Sequence, residues 1–203
     1  MNKKTEIVRL KELVEKKARQ YGEFTLSSGL KAAHYFDLKM VLCDPEGAYL
    51  VGECIFDSLV RRIFKLIIRK RVEAIGGYGL GASSIVTAVV LISGLKGHHI
   101  RGFEVIEREK LREDDPQGSE DNRYVIKGHL PPAGGKVAVV DDVVSTGRAI
   151  FMATEAVENK GCQVVVIRTV LDRQLGGSEE LRRRGYDFTA LLRADPSGKV
   201  YIN

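Results

Sequence analysis

A chain of 203 residues with 44% hydrophobic content can bury one good core, so residues 1–203 are read as a single domain. Its formal charge of +5 admits nucleic acid as a partner and equally suits a site for small anions. No helix-turn-helix signature, zinc pattern or aromatic-basic RNA motif accompanies that charge. The clusters Arg61-Arg62, Arg69-Lys70-Arg71 and Arg182-Arg183-Arg184 fall on or at the ends of expected helices, where a solvated face accounts for them, so nucleic acid is not expected. The longest apolar stretch, near Ile85 to Ile92, is interrupted by Thr87 and too short to span a bilayer. The amino terminus carries charges where a signal peptide needs an apolar core, so a cytoplasmic protein with no membrane partner is expected. Cys43, Cys54 and Cys162 are odd in number, lack metal-ligand spacing and lie among apolar residues; they read as reduced packing residues.

In chain order, Thr5 can cap a first helix on which Ile7, Leu10, Val14 and Ala18 recur at helical spacing. From Gly22 the pattern changes to GEFTLSSGLKAAHYFDLK, which reads as a hairpin or short strands covering a larger sheet. Pro45 suits the first turn of a long helix through Leu50, Val51, Cys54, Leu59, Ile63, Phe64 and Ile67, leading into a strand from Val72 to Ile75. The glycine-rich run Gly76 to Ala82 then turns into an apolar helix expected to begin near Ser83, and its backbone amides can reach a phosphate group. A strand around Ile100 to Ile106 gives way to Glu107 to Asn122, where seven acids face three bases without apolar periodicity, a mobile loop. Tyr124 to Ile126 resumes a short strand, and Val137 to Val140 is an apolar run suited to a strand buried on both faces.

Asp141 and Asp142 follow at its carboxyl end, where open α/β sheets place ligands and where paired carboxylates can grip a polyol or a metal-bound one. The turn Val143 to Arg148 offers Ser145, Thr146 and Gly147 before a helix through Ile150, Met152, Ala153 and Ala156, which makes an anion cradle. Each piece alone also fits a strand meeting solvent or an ordinary helix cap. Cys162 to Leu171 reads as another buried strand, ended by Asp172-Arg173-Gln174 and Gly176-Gly177; an arginine there can hold a carboxylate through a bidentate fork, or simply cap the strand at the surface. A last short helix is expected at Ser178 to Arg184 and a last strand at Asp187 to Leu192.

In its ordered sum the segment VAVVDDVVSTGRA, Val137 to Ala149, resembles the phosphoribosyl pyrophosphate (PRPP) signature of the type I phosphoribosyltransferases. Glu23 to Leu26, Ser28-Gly29, the pair Tyr35-Phe36, Asp44 to Gly47 and the Asp172-Arg173-Gln174 segment are similar to the orotate branch of that family. The resemblance implies an α/β phosphoribosyltransferase fold: a central, mostly parallel sheet flanked by helices, with a small amino-terminal hood mainly from residues 20–45 and a lid at 107–122. It implies Asp141 and Asp142 on the ribose hydroxyls, Val143, Val144, Ser145, Thr146, Gly147 and Arg148 on the 5′-phosphate, and Gly79, Leu80 and Gly81 on the pyrophosphate. Orotate would meet Arg173 through its carboxylate, with Ser145 nearby and Tyr35 or Phe36 against the ring, although both aromatics also suit a core.

The lid departs from the branch, whose R-K-E-x-K-x-H-G pattern is matched only by Glu107-Arg108-Glu109-Lys110, with no His-Gly pair. Arg108 or Lys110 is the expected catalytic cation, and Ser27 stands where the branch often has lysine. The activity implied is transfer of the phosphoribosyl group from PRPP to orotate, giving orotidine 5′-monophosphate and pyrophosphate in de novo UMP synthesis. Mg2+ would be held through PRPP and water rather than by the protein directly, and the protein would be a homodimer with shared sites. Two alternatives stay open: a transferase for another nucleobase, and a non-catalytic PRPP or nucleotide sensor, which the acidic lid favours.

Overall fold

A computed structural model describes residues 3–25, 31–65, 72–108 and 123–203 of the chain. Its centre is a seven-stranded sheet in the order β5-β4-β3-β6-β7-β8-β9. These strands are β3 (Ala74–Tyr78), β4 (Arg101–Glu107), β5 (Tyr124–Gly128), β6 (Lys136–Val144), β7 (Gln163–Asp172), β8 (Phe188–Ala194) and β9 (Val200–Ile202). The five inner strands run parallel, and β5 and β9 close the two edges antiparallel. The chain leaves β3 toward β4 on one side and returns at β6 on the other, so the order reverses between β3 and β6. Open α/β sheets bind ligands at that crevice.

Residues along β6 alternate between two cores, as a period of two requires. Ala138 and Val140 pack with Leu50 and Ile55 of α3 (Pro45–Lys65), Ile85 and Val89 of α4 (Gly79–Leu95), and Leu10 of α1 (Lys3–Leu13). Val137 and Val139 pack on the opposite face with Ile150, Ala153 and Val157 of α5 (Arg148–Glu158) and Leu181 of α6 (Gly177–Arg183). A small two-stranded sheet, β1 (Arg19–Thr25) with β2 (Lys31–Phe36), pairs antiparallel apart from the main one, and α2 (Lys39–Leu42) follows it. These three elements are the expected hood. The Asp37 N–H donates to Ala18 O at 2.9 Å, tying the end of β2 to the end of the first helix.

Several expectations shift. Thr5 lies inside α1, which continues through a π turn at Val14–Ala18 and buries Val14 and Ala18. Helix α4 starts at Gly79, four residues ahead of Ser83, because Gly76 and Gly77 belong to β3. β6 does not stop at Val140: Asp141, Val143 and Val144 still pair with Thr169, Leu171 and Asp172 of β7. Strand β9, which the sequence reading lacked, follows the Asp195–Gly198 turn, where Gly198 N–H donates to Asp195 O at 2.9 Å. Cys43 is exposed, Cys54 half-buried and Cys162 buried, so the packing role fails for Cys43, which sits just beyond α2. Arg69 to Arg71 and the loop at 109–122 lie outside the described residues.

Candidate active site

The two carboxylates at the end of β6 are held in different ways. Asp141 is 8% exposed, and its Oδ1 accepts the Asp142 N–H at 3.0 Å; Asp142 is half-buried, and its Oδ1 accepts the Val143 N–H at 2.7 Å. Adjacent strand residues face opposite sides, and Asp142 points to α4: a Cβ on Gly81 would lie 2.4 Å from the Asp142 carboxylate carbon. Burial pushes both acids up, and the neighbouring Asp142 charge pushes Asp141 further. The Val143 amide and, more weakly, Lys39 of α2 oppose the rise at Asp142. Asp141 therefore retains its proton longer and Asp142 carries the charge. Lys39, which no motif singles out, is the cation this arrangement adds.

Val143 and Val144 are strand residues, with Val144 buried, so they contribute backbone and packing rather than a loop. The cradle proper is Ser145, Thr146 and Gly147. Gly147 takes φ +80 and is the residue before α5, which has no side-chain cap. The hydroxyls of Ser145 and Thr146 thus leave the first amides of α5 uncapped, and those amides with the positive end of the helix suit an anion. Arg148 is exposed at the first turn of α5. Gly177, at the start of α6, donates its N–H to Ser145 O at 2.9 Å, and a Cβ on it would lie 2.6 Å from the cradle's backbone. The sequence shows Gly177 only as half of a Gly-Gly pair beyond the end of a buried strand.

Helix α4 likewise begins without a side-chain cap, behind Tyr78. Its first residues are Gly79, at φ +80 with open space around it, and Leu80, which is 76% exposed. Strands β3 and β6 are neighbours, so two uncapped helix starts stand side by side at the carboxyl ends of adjacent strands. That is a charge pattern for a ligand with two separated phosphate groups.

Across β7, Arg173 is bound twice: its N–H donates to Val144 O at 2.9 Å, and its Nη2 donates to His34 O of β2 at 3.2 Å. Asp172 Oδ1 accepts the Gln174 N–H at 2.7 Å, and Gln174 takes φ +54, so the turn that aims Arg173 is tightly set. Arg173 is 8% exposed, and burial pulls its guanidinium below the ordinary range. Among the described residues its fork has only the His34 carbonyl as partner. Tyr35 is 39% exposed, with its ring 5.6 Å from Phe24. Phe36 drops out of the base-contacting set: it is 2% exposed and packed in the core, 5.5 Å from the His34 ring on the same face of β2.

The lid's base is the β4–β5 hairpin. Glu107 is the last residue of β4, not part of a free loop: it accepts from Tyr78 Oη at 3.0 Å and from Arg123 at 3.1 Å. Arg108 follows, with its N–H donating to Arg123 O at 3.0 Å, and Lys110 lies outside the described residues.

Residues 79–191 match the family model described as phosphoribosyl transferase domain. The orotate phosphoribosyltransferase of Rhodopseudomonas palustris (strain TIE-1) is 33% identical over 194 residues, covering 96% of this chain and 97% of that protein. That of Bradyrhizobium sp. (strain ORS 278) is 34% identical over 197 residues, covering 96% and 98%. The crystal structure of Mycobacterium tuberculosis H37Rv orotate phosphoribosyltransferase in complex with PRPP superposes with a TM-score of 0.66 at 26% identity, covering 93% of this chain and 96% of that one. With likeness at that level running nearly end to end, and the matched model starting at the helix that backs Asp142, the chain belongs to the phosphoribosyltransferase family, in its orotate phosphoribosyltransferase branch.

Proposed function

We propose that the chain, as one domain over residues 1–203, transfers the 5-phosphoribosyl group from PRPP to orotate in the cytoplasm, giving orotidine 5′-monophosphate and pyrophosphate in de novo UMP synthesis. The observation that carries the choice of orotate is Arg173, fixed between the cradle strand and the hood with an unfilled fork, which a carboxylate completes as a bidentate pair. Tyr35 lies beside the ring of that ligand and Ser145 at its edge. Asp142 and Asp141 accept from and donate to the ribose hydroxyls, Thr146, Gly147 and Arg148 with the amides of α5 hold the 5′-phosphate, and Gly79, Leu80 and Gly81 hold the pyrophosphate.

As the bond from ribose to pyrophosphate breaks, positive charge grows on the sugar and negative charge on the leaving group. The Asp142 carboxylate faces the first charge and the uncapped amides of α4 face the second, so both are stabilised by groups already in place. Mg2+ bound to PRPP supplies further neutralisation of the leaving group. The hard oxygens of Asp141 and Asp142 suit an ion that PRPP and water carry into the site.

The protein acts as a homodimer with shared sites, and the exposed apolar residues of the α3–α4 face, Tyr49, Leu91 and Leu95, support a covered surface there. Arg108 or Lys110 supplies the lid's cation. The acidic lid favours one competing reading, a PRPP sensor without turnover. Mg2+- and PRPP-dependent loss of orotate by the purified protein supports the enzyme; PRPP binding without turnover of orotate or any other base supports the sensor. In the enzyme, Arg108→Ala with Lys110→Ala should lower turnover at least tenfold while PRPP binding is retained; unchanged turnover removes both residues from the mechanism.

A further inference from the structure

At the other end of the sheet, the starts of β3, β4 and β6 enclose a cavity of about 520 Å³. It collects three of the chain's four histidines, His98, His99 and His129, with Arg101, Lys136 and one acid, Glu73. Register puts these residues together. Glu73 N–H donates to Lys136 O at 2.8 Å and Arg101 N–H to Glu73 O at 3.1 Å, while His129 N–H donates to Gly102 O at 2.8 Å. Lys136 and Asp141 lie five positions apart on β6, about 17 Å at the usual strand rise, so this is not an extension of the transferase site.

The wall opposite is stiff. Pro131 and Pro132 line it, Cys162 Sγ contacts Pro131 O at 3.3 Å, and Gly135 N–H donates to Pro132 O at 2.9 Å. Only two non-glycine residues among those described have positive φ. One is Gln174, beside Arg173; the other is His99, in this cavity, at φ +55. Backbone held in that region is strained for a non-glycine residue and persists where the surroundings over-determine it.

The chemistry of the lining selects an anion. Glu73 Oε1 already accepts the Lys136 N–H at 3.0 Å, so the one acid is engaged at the strand end. The Arg101 guanidinium has no hydrogen-bond or ion-pair partner among the described residues. No three histidine, cysteine or acidic side chains there come together as metal ligands, which argues against a cation. A guanidinium and three imidazoles lining one cavity match the oxygens of a phosphoryl group. The volume exceeds what a bare ion fills and falls in the range of small-molecule sites, roughly 300–1,000 Å³.

We propose that this cavity is a second ligand site, which takes a phosphate-bearing small molecule through Arg101 and the His98, His99 and His129 cluster. The proposal stands apart from the assignment of orotate as substrate, since nothing in it depends on turnover. The test is NMR of the full-length protein with labelled histidines, each signal assigned by a single His→Gln variant, titrated separately with inorganic phosphate, pyrophosphate and a nucleoside 5′-monophosphate. His34, next to Arg173, reports on the transferase site in the same spectra. The expected result is a saturable shift of the His98, His99 and His129 signals with at least one of the three anions, and a midpoint weakened about tenfold or more by Arg101→Ser while the His34 response is kept. The tightest of the three probes identifies the source of the phosphate. Shifts confined to His34, non-saturating drifts at the other three, or an unchanged midpoint in Arg101→Ser would each overturn the proposal.

Discussion

The junctions β3–α4 and β6–α5 stand side by side across the crevice, both built as an apolar strand, glycine and an uncapped helix, yet their glycines do opposite things. At β6–α5, Gly147 is there for conformation: φ +80 turns the chain into the helix. At β3–α4 three glycines are there for want of room. A Cβ would lie 2.3 Å from the Phe103 ring at Gly76, 2.2 Å from Val140 O at Gly77 and 2.4 Å from the Asp142 carboxylate at Gly81. At this junction Gly79 is the glycine that combines a left-handed backbone with open space. One junction is a turn set by a left-handed glycine. The other is a close-packed wedge that brings the start of α4 against the paired acids.

The contrast breaks most directly at the acids that the wedge supports. Asp141→Asn with Asp142→Asn should lower orotate turnover about a hundredfold or more, since two contacts to the ribose are lost at about 1.5–3 kcal/mol each. Stability should move the other way. A buried acid whose folded-state pKa is raised binds its proton more tightly folded than unfolded, so stability falls as pH rises above the ordinary carboxylate range. The double variant should therefore be more stable than the parent at pH 7, with the advantage shrinking as pH falls and gone only below about 4, where the unfolded parent has taken up its protons as well. Thermal melts at several pH values check this. A variant less stable at pH 7 would show that the carboxylates are held by favourable contacts instead of being strained together.

A smaller effect is expected where the cradle meets the hood. Arg173→Ala should reduce use of orotate by about 2–5 kcal/mol while PRPP affinity changes little, and Arg173→Lys should not restore it, because an ammonium cannot form the planar fork. Steady-state kinetics with orotate and uracil, together with calorimetry of PRPP, separate the two ligands. If wild-type protein uses uracil as well as orotate, Arg173 is a fastener between β7 and the hood and selects nothing.

How far the sequence led follows from what periodicity can see. An apolar run gave β6 its place, because a strand buried on both faces is apolar without interruption, whereas β4 carries Glu104 and β7 carries Arg168 and Thr169 among apolar neighbours. The same criterion ended β6 at Val140, since two acids look like a strand's end; only the ladder to Thr169 and Leu171 of β7 carries it on to Val144. The aromatic pair was visible but its parity was not: Phe36 faces the core with His34 and Tyr35 faces away, which no pair of adjacent aromatics reveals alone. Glycines were read as freedom at Gly76 and Gly77, where they mark contact with another strand. The clustering of Arg101, His99 and His129 was out of reach, as strand order alone brings them to one cavity.

The finest test compares Gly81→Ala with Gly79→Ala, two like substitutions two residues apart. Gly81 has an ordinary helical backbone, so alanine there brings no backbone penalty and even favours helix. Its methyl group, however, would enter the space of the Asp142 carboxylate, and either α4 retreats or the acid swings away. Displacing a positioned group by about 1 Å can reduce rate as much as a hundredfold, and we expect a fall in kcat of about tenfold, with less than ~1.5 kcal/mol of stability lost. Gly79 presents the reverse case. Alanine there meets no neighbour but must adopt φ +80, which costs about 1–2 kcal/mol of stability, while its amide keeps its place at the helix start, so kcat should fall less than in Gly81→Ala. Melting temperature and kcat measured on both variants read the two effects on separate axes. A kcat hurt more at Gly79 than at Gly81 would mean that the freedom of this junction, and not its close packing on Asp142, is what the reaction uses.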